Sequence, residues 1–139
     1  FSCLTIDPTL QRALEPGAAE PERRLEAIAR LSAAGVETGL ALAPLMPGIN
    51  DSPQALELLC RRARQAGASF AFGQPLFMLR ATRGPFFAWL TAHRPDLLEP
   101  YRRTFVSLAG RSELPEPRRI ELKERLARAL ASSGLGSGH

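Results

Sequence analysis

VETGLALA at residues 36–43 and PLMPGIND at residues 44–51 are the two consecutive segments that decide the fold. The first opens with polar residues and closes as a continuous apolar run, which is typical of a β-strand buried on both faces. The second places two prolines and a glycine within five residues. This composition predicts a loop, because proline can neither continue a helix nor donate to a strand ladder. We therefore predict a buried strand that ends directly in a rigid, glycine-containing loop.

Similar strand-like segments lie on both sides of this unit, at residues 1–6 and 68–73. Helical patterns fill the two intervals, at residues 21–34 and 52–66, and a glycine follows each of them. The strands begin about 33 residues apart, which is the period of a strand–helix unit and predicts parallel strands with right-handed crossovers. We predict an α/β fold with three parallel strand–helix units, an arrangement that fits either a small open sheet or an arc of a barrel.

The rest of the chain is predicted to be helical or irregular. Residues 1–84 form the α/β unit, in which residues 8–20 are a loop with one short helical turn. Residues 85–131 form a helical extension with helices at 85–93, 95–108 and 117–130. Residues 132–139 are rich in serine and glycine, and we predict a disordered tail there.

Length and composition exclude several classes of protein. The chain has 139 residues, whereas a closed eightfold (β/α) barrel needs about 250. The net charge is +4, but arginines and carboxylates are interleaved and form no long block of one sign. Nucleic-acid binding is therefore only weakly supported. The lack of a long apolar run or a signal peptide predicts a cytoplasmic protein without a membrane segment.

The two cysteines, Cys3 and Cys60, are too far apart in sequence for a disulfide framework or a zinc site. Each lies within a predicted strand or on the apolar face of a predicted helix, so we expect two buried thiols and no metal site. The chain also starts inside strand-like sequence without an initiator methionine. We interpret this as a sign that it is a piece of a longer protein.

Candidate binding residues lie where the predicted strands end, because parallel α/β sheets bind ligands at the carboxyl ends of their strands. Bare backbone groups after the strand at 36–43 suit the edge of a flat heterocycle such as adenine, and Gly48 permits close approach. The alternative is an ordinary connection in which Asn50 and Asp51 precede the helix N-cap Ser52. Ser2 and Thr5 face opposite sides of the first strand, so at most one of them points into a site.

Five segments of the chain together resemble a group of radical S-adenosylmethionine proteins related to spore photoproduct lyase. They are SCLTID (2–7), LEPG (14–17), RLEAI (24–28), AAGV (33–36) and APLMPGIND (43–51), in the order and at the spacing found in that group. Leu79 and residues 86–90 resemble two downstream segments of the group more loosely. The resemblance covers residues 1–108, and its first half is the specific part.

The resemblance implies a partial TIM-type (β/α)6 barrel, of which this chain supplies the fourth, fifth and sixth units, followed by the helical extension. In the superfamily, three cysteines in a C-x-x-x-C-x-x-C motif hold a 4Fe–4S iron–sulfur cluster. The cluster cleaves S-adenosylmethionine reductively to a 5′-deoxyadenosyl radical, which abstracts hydrogen from a substrate. The implied cofactor-binding residues are Ser2, with Thr5 as the second candidate on that strand, the Ala43–Pro44 backbone at adenine, and Leu45 and Met46 along its face.

The chain departs from the family in ways that bear on activity. It lacks the three-cysteine motif and the glycine-rich motif that binds the methionine amine, and Leu4 stands where the family has threonine. The parent protein is thus expected to be the enzyme, with its cluster ligands upstream and the missing barrel half as the partner of this chain. The isolated chain is expected to be inactive, and no catalytic residue is assigned. The alternatives are a non-catalytic nucleotide- or nucleic-acid-binding α/β module and a fragment of another (β/α) barrel enzyme.

Overall fold

The computed structural model describes residues 1–105 and 112–138. In chain order the elements are α1 (Pro8–Leu14), α2 (Pro21–Ala33), β1 (Gly39–Leu45), α3 (Pro53–Ala66), β2 (Phe70–Pro75), α4 (Arg80–His93), α5 (Pro95–Phe105), α6 (Glu116–Ser133) and β3 (Gly136–Ser137). The α/β class is therefore as predicted.

The sheet is parallel throughout. β1 pairs with β2 from Gly39 opposite Phe70 onward, and β2 pairs with β3 on its other side. The first residues of the chain add to the free edge of β1, where Ser2 forms a parallel bridge with Ala41. In that bridge the Cys3 N–H donates to the Ala41 carbonyl at 2.9 Å. The predicted parallel order is confirmed, although the predicted first strand is reduced to this bridge.

β1 lies further along the chain than residues 36–43, and it includes Pro44, which we predicted to begin a loop. The pairing with β2 is irregular between Leu42 and Leu45, so no ladder hydrogen bond is required from the nitrogen of Pro44. The ladder resumes where the Leu76 N–H donates to the Leu45 carbonyl at 2.9 Å. An irregular pair thus allows a proline within β1.

Two further elements depart from the predictions: the short helical turn predicted within residues 8–20 is a longer helix, and the predicted disordered tail contains a strand. α1 replaces most of the predicted loop, because Asp7 caps it by accepting a hydrogen bond from the Thr9 N–H at 2.9 Å and Pro8 occupies its first turn. β3 lies in the predicted disordered tail, which is a correction. Its pairing depends on the free edge of β2, where the Gly138 N–H donates to the Ala71 carbonyl at 2.9 Å.

The outer helices fit their predictions with shifted bounds. α4 begins five residues before the predicted residue 85, and α6 continues to Ser133 and ends at Gly134. Residues 106–108 of the predicted helix 95–108, and His139, lie outside the described residues.

One face of the sheet carries the core. Leu40, Leu42 and Ala71 are buried on it. The inward residues predicted for α3 are buried as well: Leu56, Leu59, Cys60 and Ala63. Leu122 and Leu126 of α6 join them in one hydrophobic cluster. Strand alternation places Gly39, Ala41 and Ala43 on the opposite side, and all three remain partly exposed. We call this side, with Ser2 and Phe72 beside Ala41, the open face.

Candidate functional site

The carboxyl edge of the sheet is organised by the buried side chain of Asn50. Its Oδ1 accepts a hydrogen bond from the Met46 N–H at 2.7 Å. Its Nδ2 donates to the carbonyls of Leu4 and Pro44, both at 3.1 Å. The side-chain amide of Asn50 thus joins the first segment to the end of β1.

The neighbouring Asp51 is also buried and fixes the loop from the other side. Its Oδ1 accepts a hydrogen bond from the Gly48 N–H at 2.7 Å, within a turn where Gly48 has a φ of 76°. Its Oδ2 forms a 2.7 Å ion pair with Arg125 of α6. The polar atoms of Asn50 and Asp51 are thus bonded within the chain, which favours the interpretation of residues 46–51 as a rigid connection.

The helical extension also holds this loop. The Tyr101 hydroxyl donates to the Pro47 carbonyl at 2.8 Å, and Arg94 donates to the Gly48 carbonyl at 2.8 Å. Burial raises the pKa of Tyr101 well above its ordinary value, with a further contribution from the nearby Asp51 carboxylate. Tyr101 therefore stays protonated and remains a donor to the loop.

The first segment is fixed by Arg24 of α2, which is only 9% exposed. Its guanidinium donates to the Ser2 carbonyl at 2.8 Å and to the Ala19 carbonyl at 2.8 Å. It also forms a 2.9 Å ion pair with Glu15. The backbone of Ser2 is therefore held in place while its side chain stays exposed.

The structure divides the six predicted cofactor-binding residues into two groups. Ala43 and Pro44 are partly exposed near the carboxyl end of β1, and Ser2 is exposed on the neighbouring parallel segment, where it pairs with Ala41. Thr5 is buried, and its Oγ1 accepts a hydrogen bond from the Asp7 N–H at 3.1 Å. Leu45 and Met46 are core residues, 0% and 3% exposed. A ligand can reach Ser2, Ala43 and Pro44 from solvent. The side chains of Thr5, Leu45 and Met46 instead stabilise the turn and the core.

No set of three or more histidine, cysteine, aspartate or glutamate side chains suited to a metal ion occurs within residues 1–105 and 112–138. Cys3 and Cys60 are both free and completely buried. Burial raises the pKa of the Cys60 thiol to about 11 and also raises the pKa of Cys3. Iron–sulfur clusters are held by thiolates, so these two separate neutral thiols do not fit a 4Fe–4S cluster.

The prediction from sequence missed the residues that hold the site from a distance: Arg24, Arg94, Tyr101 and Arg125. The partners of Arg94 and Arg125 lie 46 and 74 residues away along the chain. A local pattern carries no information on such contacts. Arg24 opens the RLEAI segment of the resemblance, but among so many arginines nothing local distinguishes Arg94 and Arg125.

Many of the surface charges are paired, as their interleaving in the sequence indicates. Exposed ion pairs include Arg12–Glu20, Arg61–Glu57 and Arg62–Glu22, at 2.7 to 3.0 Å. These pairs leave less unbalanced positive charge for a phosphate backbone to bind. Within the described part of the chain, the helices are all too short or too polar to cross a membrane.

The parallel α/β architecture defines the class of the chain, and similar proteins are known from mycobacteria. The uncharacterized proteins Rv2578c of Mycobacterium tuberculosis and Mb2609c of Mycobacterium bovis are each 33% identical to it over 133 residues. The matched region is 96% of this chain but 38% of each relative, so the chain spans well under half of the relatives' length. No family model and no solved structure matches the chain.

Proposed function

We propose that this chain is part of a radical S-adenosylmethionine enzyme and forms one side of its cofactor site. The observation that carries the proposal is the placement of Ser2, Ala43 and Pro44 on two neighbouring parallel segments. Ala43 and Pro44 lie partly exposed near the carboxyl end of β1, and the exposed Ser2 pairs with Ala41, two residues before Ala43. Ligands of parallel α/β sheets bind at that end. The ordered motifs that resemble the superfamily supply the identity of the ligand.

The open face suits a flat ligand. Ala41 and Ala43 have small side chains, so an adenine ring can approach the strand closely, next to the Ala43–Pro44 backbone. The exposed hydroxyl of Ser2 is available to a ribose or amino-acid group. Asn50 and Arg24 hold the two segments, so the ligand meets a preorganised surface. When bound in such an enzyme, S-adenosylmethionine supplies a 5′-deoxyadenosyl radical on reductive cleavage.

In this proposal, the ligands of the iron–sulfur cluster lie outside this chain. Cys3 and Cys60 do not fit the cluster, so the three cluster cysteines are assigned to the part of the longer protein outside this chain. The relatives are long enough for such a part, since this chain corresponds to 38% of their length. In this proposal the parallel sheet is an arc of a partial (β/α)6 barrel, and its open face is the inner wall.

The test uses the longer protein that contains this chain. Anaerobic reconstitution with iron and sulfide is expected to give a brown protein that converts S-adenosylmethionine to 5′-deoxyadenosine when reduced. Ala43→Trp should abolish the conversion because the indole fills the space next to Pro44. Ala127→Trp, at an exposed position of α6, is the matched control and should leave the conversion intact.

Two outcomes would contradict the proposal. The first is a longer protein without a C-x-x-x-C-x-x-C motif. The second is a reconstituted protein that binds no S-adenosylmethionine. Salt-sensitive binding of DNA or RNA by a protein without the motif would instead support the non-catalytic module.

A further inference from the structure

A polar cavity of about 330 Å³ lies at the carboxyl end of β2, away from the open face. Its walls come from the exit of β2, including Gln74 and Phe77, and from Glu113, Arg119 and Lys123. Gly73 shows on which side of the sheet the cavity lies, because a Cβ at this position would point towards α6 and lie 2.6 Å from Cδ2 of Leu126. The cavity therefore lies on the helix-covered side and is separate from Ser2 and Ala43.

The cationic groups of this cavity are placed to act together. Arg119 and Lys123 are four residues apart on α6, so their side chains project from the same face of the helix. Arg119 pairs with Glu113 at 2.7 Å. Lys123 forms no ion pair with any carboxylate of the described residues. The three charged groups leave the cavity with a net positive charge and an ammonium group open to a ligand.

Arg119 has a second donor that its ion pair does not use. Its Nε is buried and has no hydrogen-bond partner among the described residues. Buried donors in native proteins are almost always satisfied by protein, water or ligand. An anion in the cavity would provide the missing acceptor and would also neutralise Lys123.

The neighbouring Phe77 suggests the rest of the ligand. Its side chain is 55% exposed, although large aromatic residues are usually well covered. An exposed ring beside two cations offers an apolar surface for the body of a small molecule whose anionic end meets the cations. The volume lies at the lower end of the range for small-molecule sites.

We infer that this cavity binds a small phosphorylated molecule, with its phosphate group held by Arg119 and Lys123. Phosphate is favoured because an arginine and a lysine together provide the forked donors and the point charge that phosphate recognition uses. The Glu113 carboxylate competes with the phosphate for Arg119 and thereby lowers the affinity of the site for phosphate. The inference does not depend on the radical S-adenosylmethionine proposal.

The test is a titration of the chain with inorganic phosphate and with phenyl phosphate, followed by NMR or calorimetry. Saturable binding is expected, with phenyl phosphate binding more tightly than inorganic phosphate because its ring contacts Phe77. Lys123→Gln should weaken binding about tenfold, as expected for the loss of one charge-assisted hydrogen bond. Arg128→Gln, an exposed cation further along α6, is the control and should change the affinity little.

Glu113→Gln gives a prediction of opposite sign, which loss of folding cannot imitate. Removal of the carboxylate releases Arg119 and makes the cavity more positive, so phosphate should bind several-fold more tightly. The inference is overturned if neither probe binds saturably, or if Lys123→Gln and Arg128→Gln weaken binding equally. It is also overturned if Glu113→Gln leaves the affinity unchanged.

Discussion

The two faces of the sheet use the same strand in opposite ways. In β1, whose sequence is GLALAPL, the leucines at positions 40 and 42 are buried on the helix-covered face. Gly39, Ala41 and Ala43 alternate with them and remain partly exposed on the open face. Large apolar side chains fill the first face. On the second, the ring of Phe70 covers Gly39, and the side chains of Ala41 and Ala43 are small.

The two faces of β1 therefore have different roles in this account: one contributes to the stability of the fold, and the other is proposed to contact the ligand. A buried leucine contributes about 1.5–3 kcal/mol of hydrophobic free energy, so the helix-covered face supplies most of the stability of β1. The small residues of the open face contribute little to the core, and their size instead determines what can approach the backbone. Substitutions on the two faces should therefore differ in both the size and the kind of their effect.

The largest effect is expected from Leu42→Ala. The side chain is 1% exposed, and its loss should lower the free energy of unfolding by about 3 kcal/mol. Ala41→Ser, one residue away on the open face, should cost less than about 1 kcal/mol. Chemical denaturation of the two variants measures both values. Equal losses would mean that the open face is part of the core.

A somewhat smaller loss is expected from Asn50→Ala, about 2–3 kcal/mol. The substitution leaves the Met46 N–H and the carbonyls of Leu4 and Pro44 without their partner in a buried place. Ser52→Ala removes only the N-cap bond to the Ala55 N–H and should cost about 1 kcal/mol. If denaturation shows the cap to matter more than Asn50, the side chain of Asn50 does not join the two segments.

Alkaline pH should lower the free energy of unfolding, because the thiol of Cys60 is buried beneath the helix-covered face of the sheet. The unfolded chain releases the thiol proton near the ordinary pKa of 9.0, whereas burial keeps the folded thiol protonated up to about pH 11. The stabilising contribution is complete below pH 9 and is lost as the pH rises towards 11, by about 2 kcal/mol. Cys60→Ala should show a correspondingly flatter decline in denaturation midpoints between pH 9 and 11. An identical decline in both proteins would show that this thiol is not buried.

The smallest effect concerns β3, which borders the open face. A Cβ at Gly138 would lie 2.6 Å from Cδ2 of Phe70, so Gly138→Ala should cost about 1 kcal/mol. Gly84, within α4, has open space around it but precedes Pro85, whose ring disfavours a Cβ on a helical residue before it, so Gly84→Ala should gain little or no stability. Thermal unfolding distinguishes the loss at Gly138 from the near-neutral change at Gly84. A neutral Gly138→Ala would mean that β3 does not pack against Phe70 in solution.

Local patterns in the sequence predicted the elements whose causes are local. The apolar spacing of α3 and its flanking Ser52 and Gly67 define that helix by themselves, and both bounds agree with the structure. β3 was missed because it exists only through the free edge of β2, which a glycine-rich tail does not reveal. Pro44 was excluded from the strand because the irregular pair that accommodates it depends on β2 and is invisible in β1 alone.

The candidate site was predictable only in part for the same reason. Strand alternation predicted that Ser2 and Thr5 face opposite sides, and the structure exposes Ser2 and buries Thr5, although no regular strand runs from one to the other. Leu45 and Met46 follow the irregular pair, where simple alternation no longer tells which side chains turn inward. The long-range contacts of Arg24 and Arg125 depend on the assembled fold and have no local pattern.

Hydrogen–deuterium exchange on the longer, reconstituted protein tests the central claim most directly. Added S-adenosylmethionine is expected to slow exchange in peptides that cover residues 1–5 and 41–47, while peptides from the middle of α6 remain unchanged. Slower exchange that omits both of these segments, with the cofactor bound, would show that the open face is not part of the cofactor site.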